Sequence, residues 1–489
     1  MDEQSLNGVG ADAKAAAADA AKEARRAMML DGPLTRTILV IALPMVFSML
    51  VDSIYNMTDT YFVSQLGITA TAAVGINDSV LNYIRAIAMG LGTGTASILS
   101  RMLGAERVDE ANRLGTTALI AGIGFLTCVA AVAFIFIDPL VVLLGATPTV
   151  KPYSLDYARF ILLGTPFTAG EVIGGYLHRS EGNTRLAMVG TVSGCVVNVA
   201  LDPILITVCG LGVAGAAIAT TIAKVISFSI LMFPFITRRT MLQIRLRYFK
   251  PTMDMFWEVM QMGLPTFLRS FLMHTAFVVL NNVAGHYSDV ALAAVSISRK
   301  SLGFVSSAIM GFGMGFQPLA GFCWGAKRYT RVRKAFWKCS MIGWVAVAVI
   351  GVVMSFMSKY LIGIFTNSKD PEIIRLGSLM LVSSLLCMMP HVWSVVINGL
   401  AMALGKPIQS ALLGTTRSFI ALVPCILIFS HFFGVNGLAV SQAAADVLSL
   451  VIVIPVAMSL LGQIHQAEKE VGHVERHPDK GLRHLSRRD

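Results

Sequence analysis

Two carboxylates, Asp52 and Asp59, stand inside the first long apolar run of the chain, residues 38–63. Seven residues apart, they would share nearly one face of a helix and sit roughly 10 Å apart along its axis. A run of that length can cross a bilayer. A carboxylate at the centre of a spanning helix costs about 3 kcal/mol, so it is kept where a partner, an ion or a water-filled cavity receives it. Later runs carry Asp78, Asp202 and the hydroxyl of Thr220. Counted at 1.5 Å per residue, Asp59, Asp78, Asp202 and Thr220 fall in one layer, about 10 Å below the outer membrane surface. Asn198, four residues before Asp202, shares its face one turn deeper. Pro203 removes a backbone donor and so frees a carbonyl oxygen of the preceding turn. Two carboxylates, an amide and a hydroxyl suit a hard monovalent cation, and the same carboxylates could hold a proton instead.

The elements that must position these groups are membrane helices. The 489 residues are 55% hydrophobic and 14% charged, against about 25% charged in soluble domains, and the mean hydropathy is +0.69. The net charge of +11 does not mark a nucleic-acid binder, because the basic residues fall between apolar runs, as they do in cytoplasmic loops. The seven cysteines are scattered without a C-x-x-C and read as packing residues, neither a disulfide framework nor a zinc site.

Twelve apolar runs follow a polar N-terminal segment: 38–63, 71–99, 114–137, 156–177, 186–208, 213–236, 257–283, 290–318, 337–358, 376–401, 409–431 and 435–461. Loops after even-numbered runs hold most of the lysines and arginines, which puts those loops and both termini in the cytoplasm. The expected organisation is an N-terminal cytoplasmic segment, 1–33, able to form a surface helix, and an N-lobe of six helices, 34–236. A basic cytoplasmic loop, 237–256, leads to a C-lobe of six helices, 257–462, and a short, charged, disordered tail, 463–489. The fold class is therefore an all-α polytopic membrane protein in two lobes.

The lobes repeat one another. Pro44 and Pro265, Val74 and Val295, Gly104 and Gly325, and Arg107 and Arg328 are each 221 residues apart, as are Gly90, Gly92 and Gly94 from Gly311, Gly313 and Gly315. An even number of spans per repeat restores the chain direction, so the lobes are related by an axis along the membrane normal, with a substrate path between them. The glycine runs read as close helix packing rather than phosphate cradles, since no strand precedes them.

The segments NMTDTYFVSQLG, SRMLGAERVDEANR, HRSEGNTR, NVALDPILI and GFGMGFQPLAGFCWGAKR together resemble the multidrug and toxic compound extrusion (MATE) transporters, over about residues 34–462. The resemblance implies twelve helices in two lobes that alternate between inward and outward states. It also implies export of organic, cationic and aromatic compounds in exchange for sodium ions or protons. It places the family's N-lobe cation site on Asp59, Asn198, Asp202 and Thr220. One branch of the family carries acids on the seventh and tenth helices; here residues Gly263 to Asn282 and Ser378 to Leu400 offer His274 and His391 and no carboxylate.

Asp52, Tyr55, Asn56, Asp78, Glu171, Lys224, Arg299 and Asp446 remain as candidate substrate or gating residues. Lys224 and Asp446 occupy repeat-related positions with opposite charge, as do Asp78 and Arg299, and fixed ion pairs account for such residues as well as gating does. Glu171, near the cytoplasmic third of its helix, either faces the inward cavity as a second cation attractor, the reading favoured here, or snorkels toward the loop. The expected partners are small organic molecules and lipid, with no nucleic acid, no cofactor beyond the coupling Na+ or H+, and function as a monomer in a prokaryotic plasma membrane. Two other functions make different demands on the residues. A flippase for lipid-linked precursors would need basic cavity residues. An intramembrane enzyme would need a metal or nucleophile motif that the sequence lacks.

Overall fold

The computed structural model describes residues 16, 19–365 and 371–476, and its described secondary structure is helical. The spans are α1 Leu34–Ser64, α2 Ile68–Gly104, α3 Val108–Ile135, α4 Lys151–Ser180, α5 Thr184–Pro203, α6 Gly212–Ile236, α7 Met253–Tyr287, α8 Asp289–Gly325 and α9 Tyr329–Phe356. The tenth, α10, is a pair, Pro371–Leu386 and Met388–Ala403, bent by 50°. The eleventh, α11, runs from Pro407–Thr415 through a π-turn, Thr416–Ile420, into residues 422–433. Gly434 then breaks the helix at φ 59° and ψ −142°, a conformation open to glycine and strained for other residues. The twelfth span, α12, covers residues 435–476. Large apolar side chains such as Phe356, 88% exposed, face outward as a lipid-solvated surface requires.

The repeat is visible in the backbone. α8 begins and ends 221 residues after α2, and α9 does the same relative to α3. Glu106 and Lys327, also 221 apart, both turn the chain with positive φ, 62° and 58°. Within the N-lobe α4 packs on α2 and α6; within the C-lobe α10 packs on α8 and α9. Between the lobes α1 packs on α8 while α7 packs on α2, the exchange that a pseudo-two-fold axis demands.

The glycine runs serve close packing, as the sequence suggests. A Cβ on Gly94 would overlap the backbone of Val259 and Gly263; one on Gly263 would overlap Gly90; one on Gly311 would sit 2.7 Å from the Met45 carbonyl. Gly315 meets Ala42, Gly104 meets Phe322 and Gly325 meets Arg101 in the same way. These contacts tie the lobes together in the half of the molecule that carries the basic loops, the basic end.

Three segments differ from expectation. Residues 463–476 continue α12 as a helix, since Ile464 is buried and Glu468 pairs with Arg333 at 3.3 Å, which offsets the polar composition that reads as a disordered tail; residues 477–489 lie outside the described set. The N-terminal helix, residues 19–30, is docked rather than merely on the surface: Met29 is fully buried, and Arg331 of the C-lobe donates to its carbonyl at 2.9 Å and to that of Gly32 at 2.7 Å. Arg25 lies 3.6 Å from Glu181 of the N-lobe. Arg179, just beyond the fourth apolar run as read from the sequence, is buried in the last turn of α4, over the Tyr176 ring.

Candidate functional site

The four residues on which the resemblance places a cation site lie together in the N-lobe. Asn198, Asp202 and Thr220 are all buried. With the Asn198 amide turned so that both ends are satisfied, its Nδ2 donates to Asp202 Oδ2 at 3.0 Å and its Oδ1 accepts from the Thr220 N–H at 3.1 Å. Each partner holds the others. Helix spacing sets α5's contribution, because Asn198 and Asp202 are one turn apart. Beyond Asp202 the helix passes Pro203 into a π-turn, Ile204–Val208, where regular hydrogen bonding is locally rearranged.

Asp59 completes the group from α1. Its Oδ1 is buried and has no hydrogen-bond partner, and the residue lies close enough to Asp202 and Asp78 to feel both charges. Tyr55, one turn before Asp59 and itself buried, is in electrostatic reach of Asp59, Asp52, Arg85 and Thr220. Tyr157 of α4 is buried against the same acids, within reach of Asp59, Asp78 and Asp202. Sequence reading missed Tyr157, for which the only signal was a tyrosine within an apolar run. Three acidic side chains thus converge without a directly bonded base among the described residues, an arrangement that favours a bound cation or proton.

Asp52, Glu171, Lys224 and Asp446 are committed to fixed pairs. Asp52 accepts from Arg85 at 3.2 Å, and Asn56 is exposed and donates to the Asp52 carbonyl at 2.6 Å. Glu171 does not stand as a free attractor: its Oε2 lies 2.9 Å from Lys224 Nζ, the two side chains being 7% and 11% exposed. Pairing a buried carboxylate with an ammonium removes the charge that would draw a second cation. Asp446 is held by Arg417 at 2.6 Å and by Gln442 at 3.3 Å. Arg85 and Arg417 were missed in the sequence, although each is a charge within a spanning run and so carried the same signal as the acids.

A second feature lies between the lobes, mainly on the C-lobe side: a cavity of about 480 Å³. It is lined by Arg269 of α7, Arg299 of α8, Arg417 of α11 and His391 of α10, with eight methionines around them, and no carboxylate is among its described lining residues. Arg269 donates to the Met310 sulfur at 3.2 Å, and the Arg299 guanidinium lies 3.6 Å from the centre of the Phe277 ring. His274 by contrast is exposed and bonds the Ser270 carbonyl at 2.7 Å. Arg269 is a further residue missed in the sequence, although it too is a charge within an apolar run.

Two like-oriented helical lobes, a buried oxygen cluster in one and a cavity between them define a multi-pass membrane transporter. The chain belongs to the MatE family, whose model matches residues 44–204 and 265–427, a family of multidrug efflux transporters. It is 25% identical over 417 residues to the multidrug export protein MepA of Staphylococcus aureus, covering 85% of this chain and 92% of that protein. MepA of Staphylococcus saprophyticus is 25% identical over 408 residues, covering 83% and 90%. A solved structure described as the outward-facing conformation of a multidrug resistance MATE family transporter superposes with a TM-score of 0.85 at 25% identity, covering 90% of this chain and 98% of that one. These relatives are described as multidrug exporters and transporters.

Proposed function

We propose that the chain is a secondary active antiporter that exports organic compounds by alternating access, driven by sodium ions or protons binding at Asp59, Asn198, Asp202 and Thr220. The observation that carries this reading is the buried, unpartnered Oδ1 of Asp59 beside the fully buried Asp202. Neutralising that cluster removes the mutual repulsion of its acids, so ion or proton binding favours one packing of the N-lobe over the other. The basic end faces the cytoplasm with both termini, following the loop charges. With the lobes joined at that end, this conformation opens to the outside. The unit of transport is the monomer, in a prokaryotic plasma membrane, and no cofactor beyond the coupling ion takes part.

The cationic, aromatic substrates that the resemblance implies would meet arginines, not carboxylates, in the cavity between the lobes. That lining also favours, as a second reading, the flippase for lipid-linked precursors. Transport in proteoliposomes with sodium and pH gradients imposed separately tests the proposal. Accumulation driven by either gradient supports the antiporter. Lipid transfer between leaflets without any gradient dependence would favour the flippase.

A further inference from the structure

Among the described residues, several charges inside the spanning helices are paired across helices: Asp52 with Arg85, Glu171 with Lys224, Asp446 with Arg417. Arg269 and Arg299 are exceptions. Among the described residues neither forms an ion pair, yet both stand in spanning helices and line one cavity. Arg269 meets only the weak sulfur acceptor of Met310, and Arg299 meets only the face of Phe277. A guanidinium carries five donors and no acceptor, so most donors of both residues are left to whatever enters the cavity. Arg269 also stands within electrostatic reach of Arg417, a like charge whose partner is Asp446.

Further unpartnered groups line the same space. His391 is 6% exposed, with its Nδ1 buried and without a hydrogen-bond partner; Gln317 Nε2 is likewise buried without an acceptor. The methionines supply an adaptable apolar wall. The volume suits a drug-sized molecule.

Resting on the exporter reading above and extending it to substrate class, we propose that this cavity takes an amphipathic organic anion. Its carboxylate or phosphate is bound by Arg269 and Arg299, and its apolar body lies against the methionines. Guanidinium groups bind such oxyanions through paired, charge-assisted hydrogen bonds. The two lobes thereby divide the charges: unpaired acids for the coupling cation in one, unpaired bases for the transported anion in the other.

The test is equilibrium binding to the purified full chain in detergent, with fluorescein as an aromatic carboxylate and rhodamine 6G as a cationic dye of similar ring system. Fluorescein is expected to bind more tightly than rhodamine 6G. Arg269→Gln and Arg299→Gln should each weaken fluorescein by roughly tenfold or more, the usual worth of a charged hydrogen bond, and Arg299→Lys should recover part of the loss. A melting curve for each variant separates lost binding from lost folding; if Arg269→Gln does not fold, Arg269→Lys replaces it. Competition by phosphatidic acid in nanodiscs, dependent on Arg299, would identify a lipid headgroup as the source of the anion; its absence would identify a free organic anion. Tighter binding of rhodamine 6G, with fluorescein unaffected by either glutamine variant, would overturn the proposal. Because binding is read without a gradient, failure of gradient-driven export would remove the antiporter reading and leave this result standing.

Discussion

Lys224 Nζ lies 2.9 Å from Glu171 Oε2 within the N-lobe, joining α6 to α4 at a depth where neither charge could stand alone. Removing one partner strands the other, which costs about 3–5 kcal/mol for a buried pair. Lys224→Met should therefore lower the melting temperature of the purified protein sharply. Lys224→Met combined with Glu171→Gln should recover most of the loss, because no charge is then left unpaired. An unchanged melting temperature in the single variant would mean that the pair contributes little to stability.

Glu181 gives stability a pH dependence outside the spanning helices. Burial pushes its carboxyl from 4.5 up to about 7, against the lowering effects of the Leu242 and Met241 amides, Arg25 and Lys22. The folded state thus holds the proton more tightly than the unfolded chain. The associated stability is complete below pH 4.5 and is lost as pH rises through about 7. The shift corresponds to roughly 3 kcal/mol. Glu181→Gln keeps an acceptor for the Leu242 N–H and should flatten the fall in melting temperature between pH 5 and 8 (roughly the range in which this group titrates). An equally steep fall in the variant would assign that dependence to other groups.

Much of this architecture is legible in the sequence because repetition and periodicity are local properties. The 221-residue offset of Gly90, Gly92 and Gly94 from Gly311, Gly313 and Gly315 gives both the lobes and the packing seam. The bend of α10 was not read from the sequence, although Pro390 accounts for it: the ring has no N–H for the carbonyl of Leu386, one turn earlier, and the helix breaks at Cys387. What stayed hidden depends on helix rotation. Depth places Glu171 and Lys224 in one lobe but not face to face. Nothing in the run around Arg417 shows that it pairs with Asp446 of another helix. Depth needs only the axial coordinate, so it could place Asp59, Asp78, Asp202 and Thr220 in one layer with Asn198 one turn below, whereas the narrower set of Asp59, Asn198, Asp202 and Thr220 came from the resemblance.

The orientation of the lobes can be read by labelling. In a background without exposed Cys128 and Cys209, single cysteines at Asp109 and Thr330, both exposed at the basic end, should react only from the cytoplasm. Cysteines at Gln65, Leu211 and His286, exposed at the opposite end, should react only from outside. Labelling of 109 and 330 from opposite sides would contradict the parallel repeat.

The central claim is that coupling resides in the N-lobe cluster, and gradient-driven accumulation by Asp202→Asn in proteoliposomes tests it most directly. The substitution keeps the side chain's shape and removes its titratable charge. One charge moving through 100 mV supplies about 2.3 kcal/mol, so its loss should abolish uphill accumulation while the protein remains folded and inserted. Asp59→Asn should behave the same way, and the double variant should be no worse than either alone. Accumulation by Asp202→Asn equal to that of the unmodified protein, under the same sodium or proton gradient, would contradict the account.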